Sequence, residues 1–252
     1  MDADIVLFHR PKQLSTIPGL LAVESTRHGG VSEHPYQSLN LGFNTGDSPA
    51  KVRLNRSRFF SAIGIPESKV AGSHQVHGDE VLLVDSPGQY EGYDALITDR
   101  PKLYVSVSVA DCVPILLYDT VHKAVAAIHA GWRGTVAQIV RKTYEQMLDH
   151  FGSRPSDCLA YIGTCIDAST FEVGEEVARQ FDDSLKSWNI DKQKYLIDLK
   201  KANFQQLYNM GFEPSQIEVS RYSTVLDNEN FFSYRKERGR TGRMLALIGR
   251  NS

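Results

Sequence analysis

Three side chains in this sequence combine chemically capable types with positions that local pattern brings to element ends: His77, Cys112 and His129. Cys112 follows an alternating run, Val105/Val107/Val109 against Ser106/Ser108, the period of a strand with one face buried. His129 closes an apolar run over 124–128, and His77 ends the segment Ser73-His74-Gln75-Val76-His77. Thiolate and imidazole are the side chains that bind zinc best, and they are also the partners of a nucleophile–base pair. Three such ligands with no obvious fourth is the donor count of a catalytic zinc site, which keeps one position for water or substrate. The bland reading is an inert buried cysteine and a histidine hydrogen-bonded at a strand end. Residue types alone do not separate the two.

Other metal chemistries fit less well. A structural zinc site needs four ligands, usually in close pairs, and Cys158 and Cys165 supply no such pair. Multicopper sites use His-x-His pairs, and none of the eight histidines is so spaced. Softness permits copper at a Cys/His₂ site, though one such site is not a multicopper cluster.

The elements that must position these residues can be read from the pattern. Residues 113–118 form an apolar run of strand length, 119–123 a turn and 124–128 another strand, so Cys112 and His129 face one another across a hairpin. A helix over 135–151 follows, with Val136, Ile139, Val140, Tyr144, Met147, Leu148 and Phe151 at helical spacing. Upstream, Leu20–Ser25 reads as a strand, and Pro49–Ile63 as a helix with Ser48 as N-cap and Gly64 beyond its end. His74 and His77 lie in an extended segment, so at most one reaches a shared site. Residues 80–84 and 94–98 read as strands, with Asp94 either orienting a ligand histidine or capping a turn. Downstream we expect a strand over 159–163, a helix over 175–185, an irregular stretch over 186–194, a helix over 197–210 stopped by Gly211, and a short strand Ile217–Val219. Two last strands over 231–235 and 243–248 should be joined by a charged glycine turn. With no repeat or linker, the chain reads as one α+β domain over 1–252.

Composition bounds the function. Hydrophobic content of 41% and charged content of 23% are ordinary for a soluble globular protein. A net charge of −2 gives no electrostatic case for nucleic acid or an anionic membrane. Three cysteines argue for a reducing compartment rather than a disulfide framework. The opening MDADIVLFHRPKQ has no apolar leader, and no run reaches membrane-spanning length. The expectation is a cytoplasmic monomer with small-molecule partners.

Several cationic groups could hold an anion. Arg27 sits in a Gly29-Gly30 loop and has the fork that matches phosphate. Gly131 to Gly134 opens a helix, offering backbone N–H groups reinforced by Arg133. Arg235, Arg238, Arg240 and Arg243 cluster near the C-terminus, with Arg238 and Arg240 expected at a solvated hairpin tip.

TRHGGVS, SLNLGFNTGD, HQVHG, DALIT, ADCVPILLYD, HAGWRGT, FEVGEEV and FFSYRKERGRTGRMLALIG occur here in series. In them the chain resembles the YfiH-like laccase-domain family, formerly termed multicopper polyphenol oxidases and regarded as purine nucleoside phosphorylases with adenosine deaminase activity. The resemblance implies an α+β fold of packed mixed β-sheets with flanking helices, related to the cytotoxic-necrotizing-factor-like putative cysteine hydrolases. It implies a catalytic Zn2+ on His77, Cys112 and His129, with nucleoside and phosphate as partners. Phosphate would meet Arg27, Arg133 and Arg235, and Asp111 is the candidate acid. Two rival enzyme readings stay open: a Cys112–His129 amide hydrolase acting on cell-wall precursors, and a copper-dependent phenol oxidase. A non-catalytic binding protein is the remaining alternative. The sequence departs from the family pattern at Ser223-Thr224 and at Gly163-Thr164-Cys165-Ile166-Asp167, away from the trio.

Overall fold

A computed structural model describes residues 5–252. The first four residues of the segment read as lacking an apolar leader lie outside the described part. The strands are β1 (Phe8–His9), β2 (Leu20–Ser25), β3 (Val70–His74), β4 (Val81–Leu83), β5 (Gly88–Glu91), β6 (Ala95–Thr98), β7 (Tyr104–Val109), β8 (Val113–Asp119), β9 (Val125–Ala130), β10 (Cys158–Ile162), β11 (Glu172–Val173), β12 (Lys186–Asn189), β13 (Lys194–Ile197), β14 (Ile217–Val219) and β15 (Met244–Arg250). The helices are α1 (Lys12–Ser15), α2 (Pro49–Ile63), α3 (Trp132–Val136), α4 (Ile139–Phe151), α5 (Glu175–Ala178) and α6 (Leu199–Asn209). One mixed sheet runs β1-β2-β15-β7-β3-β5, a second runs β14-β10-β8-β9-β6-β4, and a small third runs β11-β13-β12.

The two large sheets pack face to face, and their central strands β2, β15, β8 and β9 are buried along almost their whole length because both faces are covered. Ala22, Val105, Val107, Ala246 and Ile248 of the first sheet meet Leu96, Leu116, Tyr118, Val125 and Ala127 of the second. The far face of the first sheet, with Leu21, Val23, Leu245 and Leu247, packs on Phe59, Phe60 and Ile63 of α2. The far face of the second, with Ile115, Leu117, Ala126 and Ile128, packs on Ile139, Val140 and Met147 of α4 and Leu207 of α6. This is the expected α+β architecture of packed mixed sheets with flanking helices. α2 has its expected bounds, with Pro49 in its first turn and Gly64 left-handed after it (φ 76°).

Five local expectations need correction. The helix over 135–151 starts earlier and is broken, because Gln138 is left-handed (φ 60°, ψ 43°) and separates α3 from α4. Within α4, Leu148 turns out to solvent while Thr143 is buried. The helix over 175–185 ends at Ala178, and residues 186–194 are not irregular but supply β12 and the start of β13. Residues 231–235 form no strand: Phe231 and Phe232 are fully buried on a turning backbone, packed with Val109 and Met244. Aromatic burial there mimicked a strand signal. The expected strand over 243–248 is real, but as β15 it pairs with β2 and β7.

A fully buried carboxylate ties the two large sheets together at one end. Glu24 of β2 accepts hydrogen bonds from the Tyr161 hydroxyl, the Thr164 amide and the Thr164 hydroxyl, each at 2.9 Å. Burial pushes this carboxyl above its ordinary value, more than the Tyr161 and Thr164 hydrogen bonds and the Lys200 charge pull it down. Glu24→Ala would leave the Tyr161 hydroxyl and the Thr164 amide without their acceptor in the interior, at a cost of at least about 2 kcal/mol, measurable by chemical denaturation. Protonated Glu24 is the form the fold favours, so its contribution is complete below its unfolded-state pKa and is lost as pH rises through its raised folded value. The destabilisation by Glu24→Gln should therefore be larger at about pH 4 than at about pH 8, and a penalty growing with pH would contradict this.

Candidate metal centre

β8 and β9 pair antiparallel with Val113 opposite Ala130 and Pro114 opposite His129. That register places Cys112, just before β8, beside the residues at the end of β9. β6 lies on the other side of β9, with Ala95 opposite Ile128, so Asp94 falls next to His129. His77 arrives from a turn after β3. The ligand atoms of His77, Cys112 and His129 all lie within 4.8 Å of one another. The two imidazole rings meet edge to face, with centroids 4.9 Å apart and planes at 78°. His129 is buried, Cys112 half-buried and His77 exposed, so the group is open on one side. His74 does not take part: it is exposed and pairs with Glu91 at 2.9 Å. Only one of the two histidines reaches the site, as expected, although the cause is a turn after β3 rather than strand alternation.

Asp94 holds the arrangement. Its Oδ1 accepts from His129 Nδ1 at 2.7 Å and from the His77 amide at 3.0 Å. Its Oδ2 accepts from the amides of Gly78 at 2.8 Å and Val76 at 3.1 Å. Four donors satisfy the capacity of one carboxylate. The bond at Nδ1 commits that nitrogen to Asp94 and leaves Nε2 as the nitrogen a metal can reach by displacing its proton. The same carboxylate holds His77 in a left-handed backbone conformation (φ 59°), which a non-glycine residue adopts only when its surroundings enforce it. Burial raises the Asp94 pKa, but the hydrogen bond and charge of His129 and the Gly78 and Val76 amides outweigh it, so the net shift is downward.

The charges of the trio are mutually adjusted. Burial pushes the Cys112 thiol up, yet the His129 charge and hydrogen bonds from both rings bring it down to about 6. Burial works against charge on His129 as well, but the Cys112 charge and the Asp94 hydrogen bond lift it to about 9. Cys158 and Cys165 are the contrast: both are buried, and burial with nearby carboxylates pushes Cys158 up to about 12 and Cys165 higher still. A low thiol pKa beside two imidazoles is a soft nitrogen–sulfur donor set that suits zinc. Gly131 keeps the group accessible, since a Cβ there would lie 3.2 Å from Cys112 Sγ and 3.4 Å from His77 Cδ2.

The remaining predicted residues are dispersed around the trio. Asp111, in a left-handed conformation (φ 89°), accepts from the Thr224 hydroxyl at 2.5 Å and from the Arg235 amide at 2.6 Å. The Arg235 guanidinium donates to the Glu172 carbonyl at 3.1 Å and lies 5.5 Å from the Phe171 ring centroid. Arg133 is exposed and lies over Trp132 at 4.6 Å. Arg27, expected to be open to phosphate, is mostly spent on the protein: it donates to the Gln37 and Asn228 carbonyls and pairs with Glu237 at 3.0 Å. The departures from the family pattern join this surround. Ser223 donates to Asp167, the Thr224 amide to the Cys165 carbonyl at 3.0 Å, and Thr224 reaches Asp111 as above. Sequence reasoning missed Thr224 as a partner of Asp111, and nothing in its local pattern marks it.

Comparison with known proteins agrees with this picture. A family model described as multi-copper polyphenol oxidoreductase laccase matches residues 21–251. A purine nucleoside phosphorylase of Bacteroides thetaiotaomicron is 39% identical, covering 94% of each chain. The purine nucleoside phosphorylase YfiH of Escherichia coli is 40% identical, covering 91% of this chain and 93% of its own. Among solved structures, YlmD of Geobacillus stearothermophilus superimposes with a TM-score of 0.90 at 31% identity, covering 98% of this chain and all of that one. The hypothetical protein YfiH of Bacillus licheniformis gives the same TM-score and identity over 98% of this chain and 97% of its own. Agreement in sequence and in backbone, over nearly the whole length, makes the assignment plain: the chain belongs to the YfiH-like family of multi-copper polyphenol oxidoreductase laccase proteins.

Proposed function

We propose that this protein is a zinc-dependent purine nucleoside phosphorylase with adenosine deaminase as a second activity, acting on adenosine, inosine or methylthioadenosine in the cytoplasm. The observation that carries the reading is the Asp94-anchored trio, whose donor types, open side and single His129 nitrogen left for a metal suit a catalytic zinc ion. The names of the relatives give the reaction class: phosphorolysis of a purine nucleoside. His77, Cys112 and His129 would hold the ion, which supplies a Lewis acid and a means of ionising water near neutral pH.

The chain's own groups do the rest. Phosphate oxygen forms a bond to the ribose C1′ as the glycosidic bond breaks, and the bond's electron pair leaves with the base, which takes up a proton. Asp111, adjacent to Cys112, is our candidate for managing that proton, steadied by Thr224 and the Arg235 amide. Arg133 and Arg235, exposed at Trp132 and Phe171, supply positive charge for an approaching phosphate. Among the described residues no helix is long and apolar enough to cross a membrane.

A second reading has one specific observation in its favour. Cys112, His129 and Asp94 also have the order of a nucleophile, a base and an orienting carboxylate, with the thiol brought down to about 6. His77 separates the two, since a hydrolase needs no second imidazole on the thiol. Purified Cys112→Ser and His77→Ala should each lose zinc and phosphate-dependent nucleoside cleavage together, measured by metal analysis and a nucleoside screen with and without phosphate. A dead Cys112→Ser that retains one zinc per chain would move the weight to the hydrolase.

The pKa values also predict how the metal binds. Zinc must displace a proton from His129, which titrates at about 9, and below about 6 it must also displace the Cys112 proton. Zinc affinity of the metal-free protein should therefore rise roughly tenfold per pH unit from 6 to 9, and more steeply below 6. Competition with a chelator of known affinity checks this, and a pH-independent affinity over this range would contradict the raised His129 pKa.

A further inference from the structure

A half-buried cation beside the trio forms no ion pair with a carboxylate among the described residues. Arg243 directly precedes β15, and the pairing of Met244 with Val109 sets it alongside the turn that carries Asp111 and Cys112. Its backbone is clamped on both sides: the amide donates to Asn40 Oδ1 at 2.9 Å, and the carbonyl accepts from the Leu41 amide at 3.1 Å. Asn40 is fully buried and is held by Asn55 of α2, whose side chain donates to the Asn40 carbonyl at 2.9 Å. Gly42 lets the arginine stem lie close, since a Cβ there would fall 2.7 Å from Arg243 Cγ. The guanidinium lies 5.5 Å from the Tyr234 ring centroid, and Tyr234 is exposed.

Among the described residues this guanidinium donates hydrogen bonds through Nη1, to the Thr241 and Gly242 carbonyls at 3.1 and 2.9 Å. By contrast, half-buried Arg27 pairs with Glu237 at 3.0 Å and buried Arg56 with Glu67 at 2.5 Å. Arg243 has no such carboxylate, and burial lowers its pKa against the opposing charges of Cys112, Tyr234, Asp111 and Tyr36. A partly desolvated cation with unused donors on two nitrogens, Nε and Nη2, is costly unless an anion completes it. The Nε–Nη2 edge is the geometry that grips two oxygens of one phosphate.

We propose that Arg243 holds the phosphate at this centre, with Asn40 and Asn55 as the positioning residues behind it. The inference rests on the phosphorylase reading for the identity of the anion. Arg133 and Arg235 are exposed and Arg27 is spent on Glu237, whereas Arg243 is half-buried and forms no ion pair with a carboxylate among the described residues.

The test uses zinc-loaded protein with inorganic phosphate as the probe, measured by calorimetry without nucleoside and then as the phosphate KM of nucleoside cleavage. Arg243→Gln should weaken phosphate binding and raise the phosphate KM by at least about tenfold. Zinc content and nucleoside KM should stay near wild type. Arg243→Lys, which keeps charge and stem, should recover part of the phosphate affinity, and it serves as the variant if the glutamine form does not fold. Asn55→Ala should raise the phosphate KM in the same direction at constant zinc. Wild-type phosphate affinity in Arg243→Gln would overturn the inference, as would an equal rise in the nucleoside KM or loss of zinc. A wild type that binds phosphate through Arg243 but cleaves no nucleoside would support the anion site and refute the phosphorylase reading.

Discussion

The carboxylate of Asp94 is the point at which two separate parts of the chain become one site. Its two oxygens accept from the imidazole of His129 on β9 and from three consecutive amides in the turn that carries His77. One charge therefore commits Nδ1 of one histidine and fixes the backbone of the other. The arrangement is also electrostatically closed. A depressed carboxylate, a histidine raised to about 9 and a thiol lowered to about 6 each depend on the others for their state. Such a group is poised to exchange its own protons for a cation.

The sheet architecture exists around this point in a literal sense. Cys112, His129 and Asp94 come from the ends of three strands, β8, β9 and β6, that lie side by side in one sheet covered on both faces. Antiparallel register gives each side chain its place to within a residue, which loops alone do not achieve. Asp111 and Arg243 come instead from the junction with the other sheet, where β7 and β15 pair. The centre thus sits where the two sheets meet, and Glu24, which reaches from β2 to Tyr161 and Thr164, fixes their relation elsewhere along the seam.

Much of this was legible in the sequence, for identifiable reasons. The hairpin of β8 and β9 showed itself as two apolar runs separated by a polar turn, which placed Cys112 before one run and His129 at the end of the other; His77 came from a separate segment. α2 announced both ends through Pro49 and Gly64. The failures were of two kinds. Gln138 breaks a helix with no glycine or proline to mark it, and Phe231-Phe232 are buried without belonging to a strand. Both are tertiary choices that override a local pattern. The arginines show the other limit: Arg27, Arg235 and Arg243 are equivalent as residue types, and only their partners separate a structural ion pair from an unpaired cation.

Whether His77, Cys112 and His129 together hold one metal ion through sulfur and nitrogen decides between a zinc centre and its rivals. X-ray absorption at the zinc edge on protein purified without added metal measures this directly. The account predicts one sulfur at about 2.3 Å and two imidazole nitrogens at about 2.0–2.1 Å in the zinc shell. A shell of nitrogen and oxygen without sulfur, or protein that carries no stoichiometric metal, would contradict it.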